Sequence, residues 1–287
     1  MTTAAEFSRS SLAPATVAAY ALDWRIFERW CRKAKRKPLP CSAATLVEFL
    51  THLAKDHRPA GIERKLVSIS QRHKAAGKVC PRNDPKVAAV LAGIRRELGT
   101  QQTQKAPMLV GQLRKAVAKL SGPDAVRDRA VLLFGFAGAF RRSELAALCV
   151  EDLEWKPAGV LVTIRRSKTD HESKGQTIGI PKGGKTCPVV ALKMHLKHAG
   201  VTDGRIFDDL DGPKVSKIVK RAGRSIGMDP KTLGGHSLRA GFVTSAILAG
   251  KSELSISRVT RHTDMSILHR YVRIANALQD NAGEGLL

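Results

Sequence analysis

The sequence predicts a mainly α-helical protein with a small β-hairpin sheet, divided into two domains. Three observations carry that expectation. Apolar residues recur at spacings of three and four through the first hundred residues. The polar stretch GTQQTQKAP at 99–107 has no apolar period and closes on a proline, as a linker does. Strand-like alternation is confined to two short runs between residues 160 and 180. The expected division is a helical domain over 1–98, a linker over 99–107 and a mixed α/β domain over 108–287.

Ser11 and Pro14 open the first helix, whose apolar stripe is Val17, Tyr20, Trp24, Phe27 and Cys31. It runs out into RKAKRK and then Pro38 and Pro40. Ser42 caps a second helix with Leu46, Phe49, Leu50 and Leu53 inward. A third follows Pro59, with Ile62, Leu66, Ile69 and His73 on one face and Gly77 as its stop. A fourth follows Asp84-Pro85, with Val87, Leu91, Ile94 and Leu98 inward and Gly99 ending it. Beyond the linker, helices are expected over 110–120, 124–136, 188–199, 214–226, 237–248, 255–261 and from Met265 through Tyr271. Residues 160–166 and 176–180 read as a hairpin. The helix at 214–226 is amphipathic and basic, with Val215, Ile218, Val219, Ala222 and Ile226 on one face and Lys217, Lys220, Arg221 and Arg224 on the other.

Lys and Arg number 49 against 25 Asp and Glu, a formal charge of +24. Such an excess repels itself and gains a fold nothing, so a polyanion is the expected partner. Residues 1–104 carry 19 basic and 8 acidic side chains, and residues 105–287 carry 30 and 17. Both halves are therefore expected to touch that polyanion. A membrane partner is not expected, since no apolar run approaches the ~20 residues of a span. The N-terminus lacks the pattern of a signal peptide. Five scattered cysteines without a C-x-x-C pair read as reduced thiols of a cytoplasmic protein.

The chemistry is carried by an ordered set: Arg141 in GAFRRSEL, Lys168 in RRSKTD, His236-x-x-Arg239, His262, and Tyr271 nine positions later. Phosphodiester cleavage needs a nucleophile, positive donors for the phosphate oxygens and an acid for the leaving oxygen. Arginine's planar fork matches two phosphate oxygens and keeps its charge. No carboxylate cluster suited to metal ions is evident, and acidic pairs such as Glu151-Asp152 and Asp208-Asp209 read as surface groups. His195 and His198 have no third ligand and read as solvated. Tyr20 reads as a core residue.

GAFRRSELAAL resembles the first arginine box of the tyrosine recombinases, the Cre, Xer and lambda-integrase family. RRSKTD is similar to that family's β-hairpin lysine segment, GHSLRAGFVT to its His-x-x-Arg box, and RHTDMSILHRYVR to its final box. TVAAYALDWRIFERWC resembles the first helix of its core-binding domain. The resemblance implies a helical core-binding domain followed by a mixed α/β catalytic domain. It implies that Tyr271 attacks the scissile phosphate and becomes a 3′-phosphotyrosine. Arg141 and Arg239 then clamp the non-bridging oxygens, Lys168 protonates the departing 5′ oxygen, His236 assists proton transfer and His262 donates to the phosphate. Glu144 supports the site, and no metal, ATP or other cofactor is required. A tyrosine phenol of pKa about 10 becomes a competent nucleophile only where cations favour the phenolate.

The implied partner is double-stranded DNA with inverted half-sites, bound by a homodimer at each site and a homotetramer in synapsis. The resemblance further implies that the tail 276–287 docks on a neighbouring subunit, an expectation that its apolar Ala277, Leu278, Leu286 and Leu287 fit. Expected phosphate contacts are Arg32, Lys33, Lys35, Arg36, Arg64, Lys65, Arg72 and Lys74 in the first domain. Lys214, Ser216 and Lys217 are expected near base edges. Other readings are a type IB topoisomerase, an inactive DNA-binding relative and a P-loop ATPase. The last rests on GIPKGGKT at 179–186, which satisfies the Walker A pattern but lacks a convincing strand and helix around it. GRSIG at 223–227 matches G-x-S-x-G, yet falls at the end of a basic helix.

Overall fold

The computed structural model describes residues 14–101, 105–165 and 175–261. They form two compact units that divide between Thr103 and Gln104.

The first unit contains α1 (Pro14–Lys33), α2 (Ala43–Ala54), α3 (Pro59–Ala75), a 3-10 turn at Pro81–Asn83, and α4 (Pro85–Leu98). Ser42 caps α2 by accepting the Thr45 N–H at 3.2 Å, and Asp84 caps α4 by accepting that of Lys86 at 2.9 Å. The core gathers Trp24, Phe27, Cys31, Leu46, Phe49, Leu50, Ile62, Leu66, Ile69, Val87 and Ile94. Phe27 and Phe49 lie 4.9 Å apart, centroid to centroid. His73 is fully buried, as its place on the inner face of α3 requires. Its Nδ1 donates to the Ile69 carbonyl at 2.9 Å and its Nε2 accepts the Cys41 N–H at 3.0 Å. The ends of two expected stripes are exposed: Val17 by 47% and Leu98 by 37%. Each lies in a terminal turn of its helix, at the margin of this core.

In the second unit, α5 (Val110–Ala118) and α6 (Ala125–Ala137) lead to α7 (Arg142–Ala147). A three-stranded antiparallel sheet follows, in the order β1 (Leu153–Lys156), β2 (Gly159–Ile164), β3 (Gln176–Pro181). Then come α8 (Pro188–Ala199), α9 (Gly212–Arg224), α10 (His236–Leu248) and α11 (Glu253–Thr260). Helix α6 is buried from Ala130 to Gly135 and packs against α8, α9 and α10. On the sheet, Val160 pairs with Ile180 and Val162 with Ile178, so one face of the hairpin is apolar and buried. Strands β2 and β3 match the expected hairpin. β1 was not legible, because Glu154-Trp155-Lys156 is an exposed edge with no buried alternation.

Two further expectations need correction, and the stretch beyond the 103/104 division has a structure of its own. The linker stretch 99–107 is docked at its C-terminal end: Ala106 N–H donates to Thr232 O at 2.9 Å, Met108 N–H to Ser237 O at 3.0 Å, and Met108 is fully buried. His195 is buried and not solvated. Its ring stacks on Phe207, and its Nε2 donates to the Ile206 carbonyl at 2.9 Å. Burial holds its pKa below the ordinary histidine value, although that hydrogen bond opposes the shift. Asp152 is also buried, where it accepts the Cys149 N–H and pairs with Arg165 at 2.5 Å.

The two decoy motifs have structural explanations. Gly179, Ile180 and Pro181 belong to β3, so the Walker-like string begins inside a strand and does not form a loop that wraps a phosphate. Ser225 ends α9, and its hydroxyl donates back to Ala222 O. No described helix is long and apolar enough to cross a membrane.

Candidate active site

The turn between α6 and α7 organises the site. Ala139 there has φ +44°, which sends the chain back sharply and leaves the carbonyls of Gly138 and Ala139 for side-chain donors. Arg239, from the first turns of α10 and buried, donates to Ala139 O at 2.8 Å and to Thr260 O. Arg261, at the end of α11 and also buried, donates to Gly138 O at 3.2 Å and Val259 O at 2.7 Å. Its guanidinium carbon lies 5.6 Å from the Phe140 ring centroid.

Arg141 is the N-cap residue of α7. Glu144, three residues on, accepts the Arg141 backbone N–H at 2.9 Å and its Nη1 at 2.7 Å. The outer oxygen of Glu144 also accepts Arg261 Nη2 at 2.8 Å. Glu144 is thus a buried carboxylate between two guanidinium groups. Burial pushes its pKa up, but the charge of Arg261 and the hydrogen bonds from Arg141 outweigh it, holding the group below the usual value. Burial in turn lowers the Arg261 pKa, with Glu144 opposing.

His236 is exposed at the start of α10, one turn before Arg239. Glycines at the starts of α10 and α9 let both helices approach α7. A Cβ on Gly235 would stand 2.9 Å from Arg142 Cβ, and one on Gly212 would stand 3.2 Å from Arg142 Cδ. Arg142 therefore packs between α9 and α10, while the neighbouring Arg141 joins Glu144. Arg141, Glu144 and Arg239 converge around one turn, and His236 lies one helical turn before Arg239. Lys168, His262, Tyr271 and the tail 276–287 lie outside the described residues. Sequence reading missed Arg261. It opens the RHTDMSILHRYVR segment, but its partner lies 117 positions away and no local pattern gives it a role.

The basic helix α9 buries Val215, Ile218, Val219 and Ala222 and exposes Lys217, Lys220, Arg221 and Arg224, as expected, with Lys214 also exposed; Ile226 lies just beyond its end and is half-buried. Its outer face borders a groove of about 560 Å³ lined by Arg127, Lys214, Lys217, Lys220, Arg221 and Arg224. Buried Asp128 on α6 pairs with both Arg127 and Arg221, which ties α9 to the core helix. Ser216 does not face outward to a base. It is half-buried, donates to Gly212 O at 3.1 Å and accepts the Gly235 N–H at 3.2 Å, bolting α9 to the start of α10.

In the first unit, Arg32, Lys33, Lys35 and Lys74 are exposed. Arg72 is exposed with its guanidinium 5.8 Å from the Trp24 ring centroid. Arg36 is exposed but forked onto Glu48. Arg64 is forked onto buried Asp23 at 2.7 and 3.0 Å. Lys65 departs from the expected exposed contact: it is 4% exposed and pairs with Asp23 at 3.5 Å, which ties α3 to α1. Among the described residues, no three His, Cys, Asp or Glu side chains gather as a metal site.

Residues 107–277 match the phage integrase family. An integrase/recombinase xerD homolog of Selenomonas ruminantium is 38% identical over 293 residues, spanning 95% of this chain and 85% of that protein. The fold is similar to that of XerH site-specific recombinase bound to palindromic difH substrate (TM-score 0.66, 15% identity, 85% of this chain and 72% of the other). It is also similar to a lambda integrase dimer bound to a core site (TM-score 0.61, 14% identity, 95% of each).

Proposed function

The chain belongs to the phage integrase family and is a site-specific DNA recombinase of the tyrosine type, and from that premise we propose that Tyr271 cuts and rejoins duplex DNA. In this reading the phenolate of Tyr271 attacks the scissile phosphorus. The bond to the 5′ oxygen breaks and a 3′-phosphotyrosine forms. His236 takes the phenol proton and Lys168 gives one to the leaving oxygen. Arg141 and Arg239 neutralise the phosphate oxygens as charge builds, and His262 donates a further hydrogen bond. Attack by the freed 5′ hydroxyl reverses the steps. The phosphodiester energy is kept in the tyrosine ester, so rejoining needs neither ATP nor metal.

The observation that carries this reading is the convergence of Arg141 and Arg239 on one turn, from positions almost a hundred residues apart. The Glu144 carboxylate fixes the Arg141 fork, and two carbonyls fix that of Arg239. Guanidinium groups held in advance cost no reorganisation when charge develops. We further propose that the substrate carries inverted half-sites, with a homodimer on each site and a homotetramer joining two. The states of the neighbours, a lambda integrase dimer on a core site and XerH on a palindromic substrate, support this. Lys214 and Lys217 on α9, with Arg32, Lys33, Lys35, Arg72 and Lys74 in the first unit, are the proposed DNA contacts.

The test is a nicked duplex library with randomised half-sites, incubated in EDTA without ATP. A covalent protein–DNA adduct on a denaturing gel is expected. Tyr271→Phe should abolish it and leave duplex binding unchanged. An adduct from Y271F would show that another group is the nucleophile.

A further inference from the structure

Two properties of Arg261 conflict unless its side chain has a task. Its φ is +58°, in the left-handed region where glycine is at ease and a side chain is not. Its guanidinium is nonetheless buried, 6% exposed as a residue, where an unpaired charge is costly. Glycine would serve the backbone better and avoid the burial. Beyond the Val259 carbonyl of its own helix, the side chain reaches three things: the Glu144 carboxylate, the Gly138 carbonyl and the face of Phe140. All three belong to the turn and helix that present Arg141. Glu144 holds Arg141 through one oxygen and its backbone N–H through the other, and Arg261 binds that second oxygen.

We propose that Arg261 is a positioning residue for DNA cleavage, setting the Arg141 fork through Glu144. The inference rests on the phosphotyrosine reading above and deepens it. Arg261 does not touch the phosphate in this scheme. It neutralises one side of Glu144, so that the carboxylate stays ionised and its remaining oxygen stays aimed at Arg141. It also clamps the end of α11 to the same turn that Arg239 grips from α10. Both guanidinium groups of the proposed phosphate clamp then share one rigid support. A displacement of about 1 Å in such a group costs on the order of 100-fold in rate.

The experiment compares wild type, R261G, R261K, E144Q and the double variant R261G/E144Q as full-length chains. Adduct formation is followed on duplexes enriched by wild type from the nicked library. Melting temperature and duplex binding are measured beside it. R261G suits the backbone, so it should stay folded and bind DNA, yet form adduct about 100-fold more slowly. R261K should recover at least tenfold of that loss. E144Q should also be slow, and adding R261G to it should change the rate less than twofold, because both act through one contact.

Wild-type rates in R261G would overturn the proposal and leave the phosphotyrosine reading intact. So would multiplying losses in the double variant. Should R261G unfold, R261K decides: a rate well above that of E144Q supports the proposal, and an equal rate refutes it. Absence of any adduct from wild type would refute the phosphotyrosine reading, and this inference with it.

Discussion

Replacing Gly241 by alanine sets helix propensity against a close approach. Gly241 lies inside α10, where alanine is favoured over glycine by about 1 kcal/mol. Local reasoning therefore predicts a stabilised variant. The fold says otherwise. A Cβ at 241 would stand 1.9 Å from the Met108 carbonyl oxygen and 2.6 Å from its carbon. Both are backbone atoms, so no rotamer change relieves the clash. The docked segment at 106–108 would have to retreat by about 1.5 Å to restore van der Waals contact. That stretches the bonds from Ala106 to Thr232 and from Met108 to Ser237, each contributing about 1 kcal/mol. It also draws fully buried Met108 from the core, an overpacking cost of about 1–3 kcal/mol. Net of propensity, G241A should lose about 3 kcal/mol. For a unit of this size that lowers the melting temperature by roughly 6–12 °C. Calorimetry of the full-length chain reads it directly. A variant melting at or above wild type would show that the segment is not held against α10 as described.

Asp23→Asn should destabilise the first unit by about 3 kcal/mol in urea unfolding, because Lys65 is left buried without its counter-charge; Arg36→Ala, which breaks an exposed pair, should cost well under 1 kcal/mol. Equal losses would mean that burial does not set the cost. Glu144 has a folded pKa below its ordinary 4.5, so its contribution to stability is present above pH 4.5 and lost as pH falls through the folded value. Stability measured against pH should accordingly fall less steeply below 4.5 in E144Q than in wild type, and parallel curves would contradict the assignment. Lys217→Ala should reduce the slope of log affinity against log salt by about 1 on any duplex, while an unchanged slope would remove Lys217 from the phosphate contacts.

Period and punctuation in the sequence were enough to locate the helices of the first unit. Ser42, Pro59, Asp84 and Gly99 act within a turn of themselves, and inward faces such as Leu46–Phe49–Leu50–Leu53 follow from 3.6 residues per turn. The same local logic located the β2–β3 hairpin and the basic face of α9, and the order of boxes identified the family. The tertiary structure alone decided the fate of individual polar groups. Lys65 and His195 carry the same side chains as solvated residues, but Asp23 and the Ile206 carbonyl reach them across 42 and 11 positions. Ser216 became a bolt because Gly235 arrives beside it, and Arg261 joined the site because α11 ends against the α6–α7 turn. The ordered set from Arg141 to Tyr271 is thus what the proposed reaction was read from, while the contacts of Arg261, its proposed support beneath Arg141, depend on the fold. Periodicity reports which face of an element is buried. The partner of a buried charge depends on where a distant part of the chain returns, and no local pattern records that.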